Sequence, residues 1–237
     1  VCPMTHGRDK AIPDDLDARK AATRTALLAI VHALLVILSY VLLIQAPNPT
    51  ASDAEFATFY SSGTDRSLVV LTAVYLMPFA GIAFLWFIVV LRMWISSSAA
   101  RIDALLSTAQ LVSGVVYLGL FFAAAATISV LAVSTEYSGS EIDPSTARQF
   151  TQLGWALFVL FAMRMAAIFI MTTSSLGRRY GFLPRWFVAV GYVVGAVLLL
   201  TASTASFMIL VMPGWLLVLG AIILVRARSL PRSLGIG

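Results

Sequence analysis

Charge is scarce in this 237-residue chain. Asp, Glu, Lys and Arg make up 11% of it and hydrophobic residues 60%, where a soluble domain carries about 25% charge. A soluble fold of this length would lack the polar residues to cover its surface. Cysteine is nearly absent: Cys2 alone excludes an intrachain disulfide and a multi-cysteine metal site. Of two histidines, His6 and His32, only His32 lies in an apolar run, so the chain by itself cannot clamp a haem between two intramembrane histidines. None of the eleven acidic residues lies inside an apolar run, although Asp65 and Asp103 stand at boundaries. Proton relays and cation sites within membranes use buried carboxylates, which argues against a carboxylate-based ion pump. No H-E-x-x-H, phosphate-loop or G-x-S-x-G pattern occurs. These absences leave no catalytic residue, metal ligand or cofactor to assign.

What remains is long apolar runs. A helix needs about 20 residues to cross the hydrocarbon, and six runs reach about that length: Thr25–Ala46, Ser67–Leu91, Ala104–Val133, Phe150–Thr173, Trp186–Ala205 and Phe207–Val225. The expected fold is an all-α, polytopic, integral membrane six-helix bundle spanning 25–225, between an N-terminal arm (1–24) and a basic tail (226–237). The first twenty residues hold no apolar segment of the kind a cleavable signal needs. The last pair of spans divides either at Thr201, Ser203, Thr204 and Ser206 or at Pro213-Gly214.

The net charge of +5 records orientation, not nucleic acid. Thirteen of the sixteen basic residues fall in the arm, in the loops after spans two and four, and in the tail. Only Arg66 and Arg148 fall in the other loops. Positive residues collect on the cytoplasmic side, so both termini are expected inside. Arg178, Arg179 and Arg185 are too few for nucleic-acid recognition and are expected at anionic lipid headgroups.

The loops carry local signals. Asp143-Pro144 reads as a helix cap followed by proline at the first helical position. Ser52 with Glu55 fits a capping box, followed by Phe56, Phe59 and Tyr60 on one face. That pattern predicts a short helix lying on the outer membrane surface. Pro13, with Asp14, Asp15 and Asp17 ahead of Arg19 and Lys20, predicts a helix leading into span one.

Arg164 is the sixteenth basic residue and lies inside span four, about 13 Å from its cytoplasmic end at 1.5 Å per residue. An arginine there costs about 2.5–3.5 kcal/mol and needs acceptors. His32, Gln110 and Tyr192 fall at similar depths in their own spans, so a four-residue polar group is geometrically open. It reads either as a pocket for an anion or lipid headgroup or as structural bridging between helices. Pro78 with Gly81 reads as a hinge or a static kink. Gly191-x-x-x-Gly195 permits close helix approach, within the chain or between copies, and Ala123–Ala126 reads the same way. Trp86, Trp94, Trp155 and Trp186 fall near span ends, as interfacial anchors do.

Three stretches carry a resemblance: Val74–Arg92 (VYLMPFAGIAFLWFIVVLR), Gly119–Ala126 (GLFFAAAA) and Arg164–Leu200, with RMAAIFIMTTSSLGRR followed by LPRWFVAVGYVVGAVLLL. Together these resemble a family of uncharacterised six-span membrane proteins of high-GC Gram-positive bacteria. The resemblance implies six spans and a bacterial plasma membrane, and brings no activity with it. The functional expectation is a non-enzymatic structural or accessory subunit of a membrane complex, partnered by lipids and by another membrane protein or a second copy. The alternatives are a lipid- or anion-binding or transport protein with an inner-half pocket around Arg164, and an intramembrane enzyme.

Overall fold

The computed structural model describes residues 13–44, 46–48, 50–98, 103–139, 143–201 and 206–229. Most of the arm and the tail beyond Ser229 lie outside them. The described residues form helices and no strand: α1 (Pro13–Leu42), α2 (Asp53–Ser61), α3 (Gly63–Leu71), α4 (Met77–Ser98), α5 (Ala104–Ser138), α6 (Pro144–Trp155), α7 (Met163–Arg179), α8 (Arg185–Leu200) and α9 (Val211–Ser229). A π segment, Thr72–Leu76, joins α3 to α4 and another, Ala156–Ala162, joins α6 to α7; a 3-10 turn, Ser206–Leu210, leads into α9. Among the described residues, five continuous helices are long and apolar enough to cross a membrane, and α8 is a shorter apolar helix of 16 residues. The chain is an all-α membrane bundle.

The helices end where local chemistry says they should. Asp143 caps α6 through the Ser145 and Thr146 amides, with proline next in line. Ser52 and Glu55 form both halves of a capping box on α2. Asp103 caps α5, which stops at Gly139 in the left-handed conformation that glycine adopts without strain. Pro213 does not break α9; it sits in the first turn, where a missing N–H costs least. Helix α8 stops at Leu200, five residues before the expected limit of span five, where Thr201 turns extended.

The two π segments have different origins. Pro78 has no N–H for the preceding turn, and just ahead of it the ladder slips, so that the Met77 N–H bonds to the Thr72 carbonyl five residues back. The second segment contains neither proline nor glycine; there the Met163 N–H reaches Phe158 and the Arg164 guanidinium takes the Leu160 carbonyl.

Packing places α1 between α4 and α9, α5 between α4 and α7, and α8 against α7. Phe187 of α8 stacks on Trp215 of α9 at 5.5 Å and joins the two ends of that chain of neighbours. Alanines make the α1 contacts close: Ala22, Ala26, Ala29 and Ala33 are buried at alternating steps of four and three, the spacing of one helix face. A Cβ on Gly220 of α9 would stand 3.0 Å from the Ala26 carbonyl. The middle of the bundle is aromatic, with Phe84, Tyr117, Phe121 and Phe169 all buried.

The two ends differ in charge. At one end Arg179 pairs with Asp103, the Tyr180 hydroxyl accepts from the Asp103 N–H at 2.7 Å, and Arg226 donates to the Gly181 carbonyl at 2.6 Å. This is the basic end. The opposite, acidic end is tied by Arg66–Glu136 at 3.0 Å and Arg148–Asp53 at 3.3 Å.

Helix α2 packs differently from the sequence expectation. Phe56 and Tyr60 are buried against Val69, Val70, Ala132 and Ala147, so the aromatic face turns into the protein and not toward lipid. Apolar residues of α3, α5 and α6 stand within reach and bury these rings more fully than a membrane surface would.

Candidate functional site

The structure gives each of the four polar residues grouped from sequence a different partner. Arg164, half-buried, donates to the Leu160 carbonyl of its own helix. His32 is fully buried, and its Nδ1 lies 2.8 Å from the Ala80 carbonyl. A carbonyl only accepts, so Nδ1 carries the hydrogen, leaving Nε2 without a protein partner. Gln110 donates to Thr173 at 3.4 Å, and the Tyr192 hydroxyl meets Ser175 at 2.8 Å. Thr173 and Ser175 stand nine and eleven residues beyond Arg164, roughly 13–17 Å along α7. His32 sits beside Phe84, with ring centroids 4.9 Å apart. The single polar cluster therefore resolves into separate contacts. The π segment sets an acceptor next to Arg164, and the Thr-Ser-Ser run of α7 serves Gln110 and Tyr192.

The other sequence candidates find plain places. Gly191 and Gly195 face α7: a Cβ on Gly191 would overlap Ser174 Oγ, and one on Gly195 would overlap Met171 and come within 3.2 Å of the Ala167 carbonyl. Gly81 lies against Phe122 of α5. Arg178 and Arg185 are exposed at the basic end. Trp86 and Trp186 are exposed, whereas Trp155 is half-buried in a wall of the cavity described next.

That cavity, of about 310 Å³, lies in the acidic half and was not anticipated from sequence. Its α1 wall is Val36, Ser39 and Tyr40, with Leu43 just past the helix end; its α5 wall is Phe121, Ala124, Ala125 and Ile128. Thr151 and Trp155 of α6 and Phe158 of the second π segment form the third side. Tyr60 of α2, Met77 at the start of α4 and Ile209 of the 3-10 turn complete it, and Ala46, Pro47 and Asn48 form the rim. Ile44 and Asn48 are exposed, so the cavity reaches the surface at that rim.

Its origin is local. Ala124 and Ala125 leave α5 without side-chain bulk there, and the second π segment borders the space through Phe158. A π turn inserts one residue into the ladder and re-aims the side chains around it, a feature common at functional sites. The volume falls at the small end of the range for ligand pockets. The lining is mostly apolar with a few hydroxyls, an amide and an indole, and it contains no Asp, Glu, Lys, Arg or His. Burial pushes the Tyr60 hydroxyl above its ordinary range, which keeps it a neutral donor. A shallower depression shares Ile44, Ala46, Pro47 and Asn48 with the rim and carries Glu55 and Asp65. Glu55 is held ionised, its carboxyl drawn down by the Ser52 amide and hydroxyl. Among the described residues, no group of three His, Cys, Asp or Glu could hold a metal ion.

Fold and cavity together define a multi-pass helical membrane protein with an apolar pocket opening at one end. No protein-family model, curated protein or solved structure matches the chain.

Proposed function

We propose that this chain is a six-span membrane protein that holds a small apolar or amphipathic molecule in the cavity between α1, α5 and α6. The observation that carries the reading is the cavity itself: about 310 Å³, walled by apolar side chains, within a helical membrane bundle. Hydroxyls and an indole line it, without the carboxylate or imidazole that general acid–base work requires. Such a site suits retention of a ligand more than its turnover. The grouping of Arg179, Tyr180 and Arg226 at one end supports both termini lying on the cytoplasmic side, with the cavity in the opposite half. The family resemblance supports a bacterial plasma membrane.

The test is native mass spectrometry of the protein purified in a mild detergent. Wild type is expected to retain an added mass. Ala125→Phe, which puts a ring into the cavity, is expected to lose at least nine-tenths of it while keeping its helical circular dichroism. Equal retention by the two proteins would refute the assignment.

A further inference from the structure

The charge pattern around the cavity selects a class of ligand. We infer that the site takes an uncharged single-chain amphiphile, with a hydroxyl or carbonyl head at the Asn48–Tyr60 rim and its tail toward Phe121 and Phe158. This rests on the ligand-holding reading above.

The first argument is the lining. No ionised side chain faces the space. A charged group moved from water into a low-dielectric site must be compensated by a counter-charge or by several hydrogen bonds. The walls offer no counter-charge. Ser39 already donates to the Leu35 carbonyl at 2.8 Å. A hydroxyl or carbonyl head asks less: one donor or one acceptor satisfies it, and the neutral Tyr60 hydroxyl can be either.

The second argument is polarity along the axis. On α1 the lining runs from Val36 to Tyr40 and continues past the helix end to Leu43 and Ile44. The deep end is set by Phe121 and Phe158, buried aromatic rings 5.8 Å apart. The shallow end carries the Asn48 amide. The Asn48 amide thus stands at one end and the two rings at the other, which matches a head and a tail.

The third argument concerns anions. Glu55 and Asp65 stand in the depression that adjoins the rim, and the Glu55 carboxylate stays ionised through its capping bonds. An anionic head approaching the rim meets like charge. A cationic head would have those two carboxylates beside the rim but no counter-charge in the lining itself.

Trp155 supplies the readout. Bromine quenches indole fluorescence at contact, so three probes of equal chain length can be ranked on the wild-type protein: 11-bromoundecanol, 11-bromoundecanoate and 11-bromoundecyl-trimethylammonium, each at pH 9. Subtracting the signal of Trp155→Phe removes the other four tryptophans and the shared partitioning into detergent. The expected result is saturable quenching by the alcohol at a concentration at least tenfold below that of either ion. Quenching by the carboxylate or the ammonium at the same concentration as the alcohol would overturn the ligand class while leaving the ligand-holding reading in place. If no probe quenches saturably, or if the alcohol quenches Ala125→Phe equally, the ligand-holding reading falls and the class with it.

Discussion

Arg164 shows how a single residue can look functional from sequence and serve its own helix in the structure. The depth of the charge could be read; its acceptor, the Leu160 carbonyl one turn back in the π segment, could not be singled out from sequence. One hydrogen bond from a charged donor contributes about 1.5–3 kcal/mol, while placing arginine in the membrane costs about 2.5–3.5 kcal/mol. The two nearly cancel. Arg164→Met is therefore expected to leave the protein as stable as wild type, or up to about 2 kcal/mol more so, by thermal unfolding in detergent. A loss beyond about 2 kcal/mol would mean that the guanidinium bridges helices after all. Asp143 is the opposite case, legible in both position and role. Bonds from the Thr146 and Ser145 hydroxyls, helped by the Thr146 amide, draw its carboxyl from 3.8 down to about 2. A depressed folded-state value means that the cap stabilises fully above pH 3.8, and that this contribution fades as pH falls through 2. Asp143→Asn still caps but cannot titrate. Between pH 4 and pH 2 its melting temperature is expected to fall less steeply than that of wild type.

At the scale of elements, the sequence shows well whatever depends on one stretch of chain. The capping box on α2, the Asp143-Pro144 start of α6 and the helical entry from Pro13 all rest on neighbours within four residues, and all appear. What depends on distant neighbours does not show. The aromatic face of α2 could equally have met lipid; Val69, Ala132 and Ala147 decide otherwise from up to 91 positions away. The cavity is hidden for the same reason. Ala124 and Ala125 read as close-packing residues, yet nothing in α5 says that the facing side chains of α1 stop short. Gly195 is a place where small does mean close. A Cβ there meets Met171 and the Ala167 carbonyl, so Gly195→Ala is expected to cost about 1–3 kcal/mol by forcing α7 and α8 apart. Guided denaturation in detergent against wild type checks it, and an unchanged midpoint would show that Met171 yields freely.

The whole molecule is ordered by charge at its ends and by aromatic rings at its middle. That the chain forms apolar helices of membrane-spanning length was readable because insertion acts on a bulk property of each segment, its apolar length. Which helices touch was not readable, since α1 finds its main neighbours in α4 and in α9, the last of the described helices. The proposed orientation has a direct check in a Cys2→Ser background. A membrane-impermeant maleimide is expected to label Thr64→Cys on intact cells and Arg185→Cys only after permeabilisation. The reverse pattern would place the cavity in the cytoplasmic leaflet.

Helix α8 has one further consequence. Its 16 residues rise about 24 Å, against roughly 30 Å of hydrocarbon, and in sequence it is followed at once by the hydroxyls of Thr201, Ser203, Thr204 and Ser206. In the six-span arrangement proposed above, α8 falls several ångströms short of the hydrocarbon, and lipid beside it dimples inward. Such a mismatch costs a fraction of a kcal/mol per ångström. The bundle is thereby sensitive to acyl-chain length: thin bilayers relieve the deformation and thick ones sharpen it. In a membrane of uneven thickness the protein will collect where the lipids are shortest.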